Sequence, residues 1–187
     1  MNTQTVPGVS ASINAVEMIR EDHRRIKALF REFEAADEEL RPSIAARAIE
    51  ELELHDQAEQ GYFYPALKTV VGVDPVLEAR AAHHAVNMTI MELKLMPSGR
   101  RYNAKFKVLI DSVLAHVKEE EAELLPAAES SDLDLEEIGR DMATVKYRSL
   151  GRRGLQNAAV GGLGVGTVLL GVAAAAGAWL LFSKPQE

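Results

Sequence analysis

Two stretches of this chain place a histidine four residues ahead of a glutamate: His55 and Glu59 in HDQAEQGYFYPAL, and His116 and Glu120 in HVKEEEAELLPAA. Each continues through an apolar pair to a proline, so one short pattern occurs twice. On a helix, residues i and i+4 share a face, with Cβ atoms about 6 Å apart. Each pair therefore presents an imidazole nitrogen beside a carboxylate oxygen. Those two donor types together suit iron, manganese or zinc.

Both pairs fall on apolar lines. Ala45, Ala48, Leu52, His55, Glu59, Tyr62 and Ala66 form one, and Tyr102, Phe106, Leu109, Val113, His116, Glu120 and Leu124 another. Two further lines each carry a histidine: Val16, Ile19, His23, Ile26, Phe30, Phe33, and Val76, Ala79, His83, Val86, Ile90, Leu93. Steps of three and four are the spacing of helices packed in a bundle. A buried polar side chain without a partner costs on the order of 1–3 kcal/mol, and a buried charge more. A bound cation removes that cost. Four nitrogens and two carboxylates exceed the four ligands that one zinc ion takes. They suit a dinuclear centre with bridging carboxylates. His84 also lies on an apolar line (Leu77, Ala81, Met88, Met91, Leu95), so periodicity alone does not choose between it and His83. Glu119 and Glu121, in the run KEEEAE, read as a solvated face.

The elements that must position these residues are helices. The first follows GVSAS, whose serines can cap it, and the second starts near Pro42-Ser43, with Pro65 kinking or ending it. The third opens with Asp74 as cap and Pro75 at its first position, MPSGRR breaks it, and Pro126 follows the fourth. A fifth amphipathic stretch, Leu133 to Leu150, starts at SSDLD. Four helices of similar length with short loops make an all-α, up-down-up-down four-helix bundle the expected fold, with no competing strand pattern.

Ala158 to Phe182 contains no charge. As a helix it would span roughly 38 Å, enough to cross a bilayer. Basic residues crowd its N-terminal flank, and only Lys184 follows it. The positive-inside rule then keeps the large domain cytoplasmic. Gly161, Gly162, Gly164 and Gly166 could seat a second copy in lipid. A glycine-rich helix packed against protein is the competing reading. The expected organisation is a disordered 1–11, a bundle over 12–130, a basic connector over 131–154, a transmembrane helix over 155–183 and a short tail.

Composition excludes several classes. The chain has no cysteine, so no disulfide, thiolate site or thiol nucleophile. Its net charge is −7, and five basic residues against one acid between Arg140 and Gly154 leave about −11 for residues 1–139. Such a domain is a poor nucleic-acid binder. Glu-x-x-His, His-Glu-x-x-His, a phosphate-binding glycine loop and a serine elbow are all absent.

With EDHRRIKALF, HDQAEQGYFYPAL, AHHAVNMTIMEL and HVKEEEAELLPAA in order over roughly 12–130, the sequence resembles the hemerythrin-like family, also called the HHE cation-binding domain. The resemblance implies two iron ions, oxo- or hydroxo-bridged and bridged by Glu59 and Glu120, with His23, His55, His83 and His116 as nitrogen ligands. It selects His83, because apolar residues follow at Val86, Ile90 and Leu93. The glutamate usual before that histidine is Ala82 here. Oxygen-carrying relatives have a second histidine in helix three, where this chain has Ala79 and Asn87, which argues against simple reversible oxygen carriage.

The resulting expectation is a membrane-anchored di-iron protein that binds, senses or reduces oxygen, peroxide or nitric oxide. No separate acid–base residue is assigned, and electrons for peroxide or nitric oxide turnover would come from an unidentified donor. Tyr62 and Tyr64 lie near Glu59, where they could tune the site or simply pack. The alternative is a structural or adaptor membrane protein whose bundle holds a divalent cation without redox turnover.

Overall fold

The computed structural model describes residues 14–160, with side chains through Arg148. The chain divides into two compact units, residues 1–145 and 146–187. In the second unit the described residues, 146–160, are helical. The expected N-terminal segment 1–11 and the greater part of the expected membrane span lie outside the described residues. Among the described residues, no helix is long and apolar enough to cross a membrane.

Helix α1 (Ala15–Ala35) is capped by Asn14, whose side-chain oxygen accepts from the N–H groups of Val16 at 2.9 Å and Glu17 at 3.3 Å. This asparagine, not a serine of GVSAS, satisfies the free donors of the first turn. Helix α2 (Arg41–Ala58) has Pro42 in its first turn, where a missing N–H costs nothing. A single residue, Gly72, joins α3 (Tyr64–Val71) to α4 (Val73–Leu95). Its φ of 85° and ψ of −171° belong to a region essentially restricted to glycine. That residue, not Asp74, is the N-cap of α4. Gly99 (φ 139°) precedes α5 (Arg100–Glu119) in the same way. Then come α6 (Leu125–Glu129) and α7 (Leu135–Val160). The Asp134 carboxylate caps α7 by accepting from Glu137 N–H at 2.8 Å, as SSDLD suggests.

Pro65 does not end the second helix. The chain passes from α2 into α3 through a π-helical turn, Glu59–Phe63, in which Tyr64 N–H reaches back to Glu59 C=O. The second copy of the pattern repeats this: α5 passes through a π turn, Glu120–Leu124, into α6, with Leu125 N–H bonded to Glu120 C=O. In each case the proline stands six residues after the glutamate. Proline lacks the N–H for an i→i−4 bond, and its ring collides with the i−4 carbonyl. A widened turn just ahead relieves that collision. The extra residue rotates everything after it by about 100°. Phe63, Tyr64 and Leu67 therefore turn inward and are fully buried, while Tyr62 and Ala66, expected on the core line, are only half-buried.

The core separates into two apolar clusters. One gathers Ile26, Phe30 and Phe33 of α1, Leu52 of α2, Val86 and Ile90 of α4, and Phe106 and Val113 of α5. The other gathers Val16 and Ile19 of α1, Ala58, Tyr64 and Leu67, Val76 and Ala79 of α4, Leu124 and Leu125, and Met142 of α7. Each helix in turn runs from one cluster to the other, which is the up-down-up-down bundle. Each seam histidine falls at the junction: His23 between Ile19 and Ile26, His55 between Leu52 and Ala58, His83 between Ala79 and Val86, and His116 between Val113 and Leu124.

Candidate metal centre

The four histidines and two glutamates form one buried polar layer. His23, His55, His83, His116, Glu59 and Glu120 are each at most 6% exposed. His84 is exposed, so the α4 contribution to the layer is His83. Two donor groups result. Ligand atoms of His23, His55, Glu59 and Glu120 all lie within 4.8 Å of one another, and so do those of Glu59, His83 and His116. Glu59 belongs to both. Its Oε2 is 3.2 Å from His55 Nε2 and 3.0 Å from His83 Nε2. Glu120 Oε2 is 3.3 Å from His23 Nε2 and 3.7 Å from His116 Nε2.

The layer is short of hydrogen-bond partners. Among the described residues, His23 Nε2, His55 Nε2, Glu59 Oε1 and Glu120 Oε2 are buried with none. Native interiors leave few such atoms. That these unpartnered atoms converge in one layer is what a cation site requires, and the donor set fits a first-row metal.

Tyr64 sits at the centre. Its hydroxyl lies 2.9 Å from Glu120 Oε1, 3.3 Å from Glu59 Oε2, 2.9 Å from His83 Nε2 and 3.5 Å from His116 Nε2. Burial first, then the charges of Glu59 and Glu120, push its phenol pKa well above the ordinary value. Tyr62 instead packs at the edge of the second apolar cluster.

An outer set of carboxylates holds the imidazoles, each reaching from one helix to the histidine of another. Asp56 of α2 accepts from His83 Nδ1 at 2.8 Å, and Asn87 donates to its other oxygen at 3.0 Å. Asp22 of α1 lies 3.6 Å from His55 Nδ1. Glu121 pairs with His23 Nδ1 at 3.0 Å and with Lys27 at 3.0 Å. Glu121 is therefore half-buried beside the layer, not on a solvated face: one residue after Glu120, it faces α1. A ligating histidine commonly donates its second N–H to such a carboxylate, which fixes the ring and its tautomer. Asp22 and Asp56 lie off the apolar lines but stand next to seam histidines in sequence; an acid flanking a seam histidine is the signal for them.

Protonation reflects this crowding. Burial disfavours the charged His83 imidazole, but hydrogen bonds to Asp56 and Glu59 and the charges of Glu59 and Glu120 outweigh it and raise the group to about 10. Burial likewise disfavours the Glu120 carboxylate, yet the neighbouring imidazoles of His23, His116 and His55 hold it at about 2. Burial dominates at His116 and lowers it. A cation would take the place of the shared protons, since imidazole ligands must be neutral to bind.

The outer set gives a prediction. Asp56→Ala frees the His83 ring without touching the six inner residues. Loss of such a partner typically lowers metal affinity about 10- to 100-fold. Competition with a chromophoric chelator is expected to show one ion weakened by that factor and the other unchanged. Equal weakening of both would mean that Asp56 acts through the fold.

A family model for the hemerythrin HHE cation binding domain matches residues 14–128. Among solved structures, the chain resembles a hemerythrin HHE cation binding domain-containing protein from Mycobacterium kansasii, with a TM-score of 0.63 and 29% identity. The likeness covers 77% of this chain and 93% of that one. A curated relative from Nostoc sp. (strain PCC 7120), a protein described as a DNA nickase, is 24% identical over 117 residues. Those residues are 62% of this chain and only 33% of that relative. The family match spans the four helices and every residue of the polar layer: the chain belongs to the hemerythrin HHE cation-binding domain family.

Proposed function

We propose that this chain is a membrane-held, non-haem di-iron protein that binds, senses or reduces a small oxidant: oxygen, peroxide or nitric oxide. The observation that carries the reading is the buried layer of unpartnered nitrogen and carboxylate atoms. His23, His55, Glu59 and Glu120 would hold one ion, and Glu59, His83 and His116 the other, with the Tyr64 oxygen beside the second group. When bound, iron supplies a redox couple and room for a small exogenous ligand.

The chain's own residues supply the rest. Asp22, Asp56 and Glu121 keep the imidazole Nε2 atoms aimed inward. Tyr64 keeps its proton at the hydroxyl, between Glu120 and Glu59. Apolar clusters above and below exclude bulk water. Asn87 is committed to Asp56, outside both donor groups, which supports a role other than simple oxygen carriage. The uncharged stretch within 155–183, behind its basic flank, supports a membrane tether with the domain on the cytoplasmic side. Nickase activity is not part of this reading: the shared segment is a third of that relative, and the acidic balance here opposes phosphate contacts.

The test is elemental analysis of the full chain purified in detergent from iron-replete cells, followed by anaerobic reduction and mixing with each oxidant. About two irons per chain, one for each donor group, and a spectral change with at least one oxidant are expected. Two ions without any oxidant response would leave a cation-holding adaptor. No metal, or a single zinc, would overturn the reading.

A further inference from the structure

We infer that divalent cations enter the centre through an acidic vestibule between α4 and α5 that ends on His116 and Glu120. The inference rests on the metal reading above and adds how the ion arrives. A cavity of about 300 Å³ opens there, lined by Glu78, Glu119 and Glu123 at its mouth and by His116 and Glu120 within. No lysine or arginine lines it. The three outer glutamates are exposed, whereas Glu120 is 1% exposed and its Oε2 has no hydrogen-bond partner. The cavity thus joins solvent to a buried carboxylate that has one oxygen without a hydrogen-bond partner.

This side of the layer is open for a reason legible along the helices. On α1 the residue before the seam histidine, Asp22, reaches the histidine of the next helix. At the same place on α4 stands Ala82, which has no group to offer His116. The carboxylates that close the other three histidines therefore have no counterpart here among the described residues. A second acidic hollow, lined in part by Glu137 and Asp141, contains none of the layer's residues. Charge alone thus does not mark the route; contact with the ligands does.

Like-signed carboxylates around a low-dielectric cleft concentrate a counter-ion and raise its association rate by about 10- to 1000-fold, an effect that salt screens. Metal-stripped full-length protein is mixed with cobalt(II) in stopped flow, and its visible absorption followed at several salt concentrations. Glu78→Gln, Glu119→Gln and Glu123→Gln together are expected to slow uptake about tenfold at low salt and flatten its salt dependence. The final stoichiometry should stay unchanged. Glu136→Gln, Glu137→Gln and Asp141→Asn together remove the same charge elsewhere and are expected to load at the wild-type rate. If the vestibule variant keeps the wild-type rate and salt slope, or the second set slows uptake equally, the route is wrong while the metal reading stands. If wild-type protein takes up no cobalt, the metal reading falls and takes the route with it.

Discussion

Glu59→Gln takes the metal content of the full chain from about two ions to well under one, the largest loss expected of any single change in the layer. Glu59 is the residue common to both donor groups. One carboxylate oxygen lies within 3.2 Å of histidines from two different helices. Glutamine keeps the shape and the position on the π turn but removes the charge. That charge matters most where water cannot replace it, and Glu59 is fully buried. Without it the second group is reduced to His83 and His116, too few for stable binding, and the first to His23, His55 and Glu120. Changes confined to one group should behave differently. His83→Ala removes a donor from the second group only, and Glu120→Gln from the first only. Each is expected to leave about one ion. Elemental analysis of the three variants after equal metal exposure distinguishes these outcomes. If Glu59→Gln loses no more than His83→Ala, Glu59 does not serve both ions.

The bundle and its polar layer were legible because three of the seams obey one simple rule. Every residue read onto the α1 and α4 lines is buried, and so is every residue on the α5 line through Leu124. The second helix broke the rule at Tyr62 and Ala66. Its hydrophobic spacing holds to Glu59 and then shifts by one residue, because the π turn inserts a residue that periodicity does not foresee. The cause was visible, in a proline at the same distance from both glutamates, but its effect on phase was not. Glu121 departs from the expectation as well. In the run KEEEAE only Glu120 lies on the apolar line, yet Glu121, one residue on, stands beside His23 and Lys27. Asp22 and Asp56 illustrate a different limit. They reach histidines on other helices, and neighbours across a bundle are set by how helices pack, not by spacing along one of them. Tyr64 combines both limits: the shifted phase turns it inward, and only packing shows that its hydroxyl meets groups from three helical segments.

Removing the metal should lower the melting temperature of the domain by about 10–20 °C. Ligand at 100 times its dissociation constant stabilises by about 2.7 kcal/mol per site, hence roughly 5 kcal/mol for two. Near 150 residues, each kcal/mol shifts the midpoint by about 2–4 °C. The same physics predicts that the polar layer is a burden once the ions are gone. Replacing His23, His55, His83 and His116 by leucine, Glu59 and Glu120 by methionine, and Tyr64 by phenylalanine would join the two apolar clusters into one core. Buried ionic groups exchanged together for apolar ones of similar volume are often stabilising by about 1–4 kcal/mol, whereas removing a single partner is costly. The sevenfold variant should therefore melt at or above the metal-free wild type and show no response to iron or cobalt. Differential scanning calorimetry on both proteins, with and without metal, reads the two effects separately. A wild type whose midpoint ignores metal, or an apolar variant that melts well below the metal-free wild type, would mean that hydrogen bonds within the layer themselves hold the fold. The layer would then be part of the scaffold and not a site kept open, at a cost in stability, for ions.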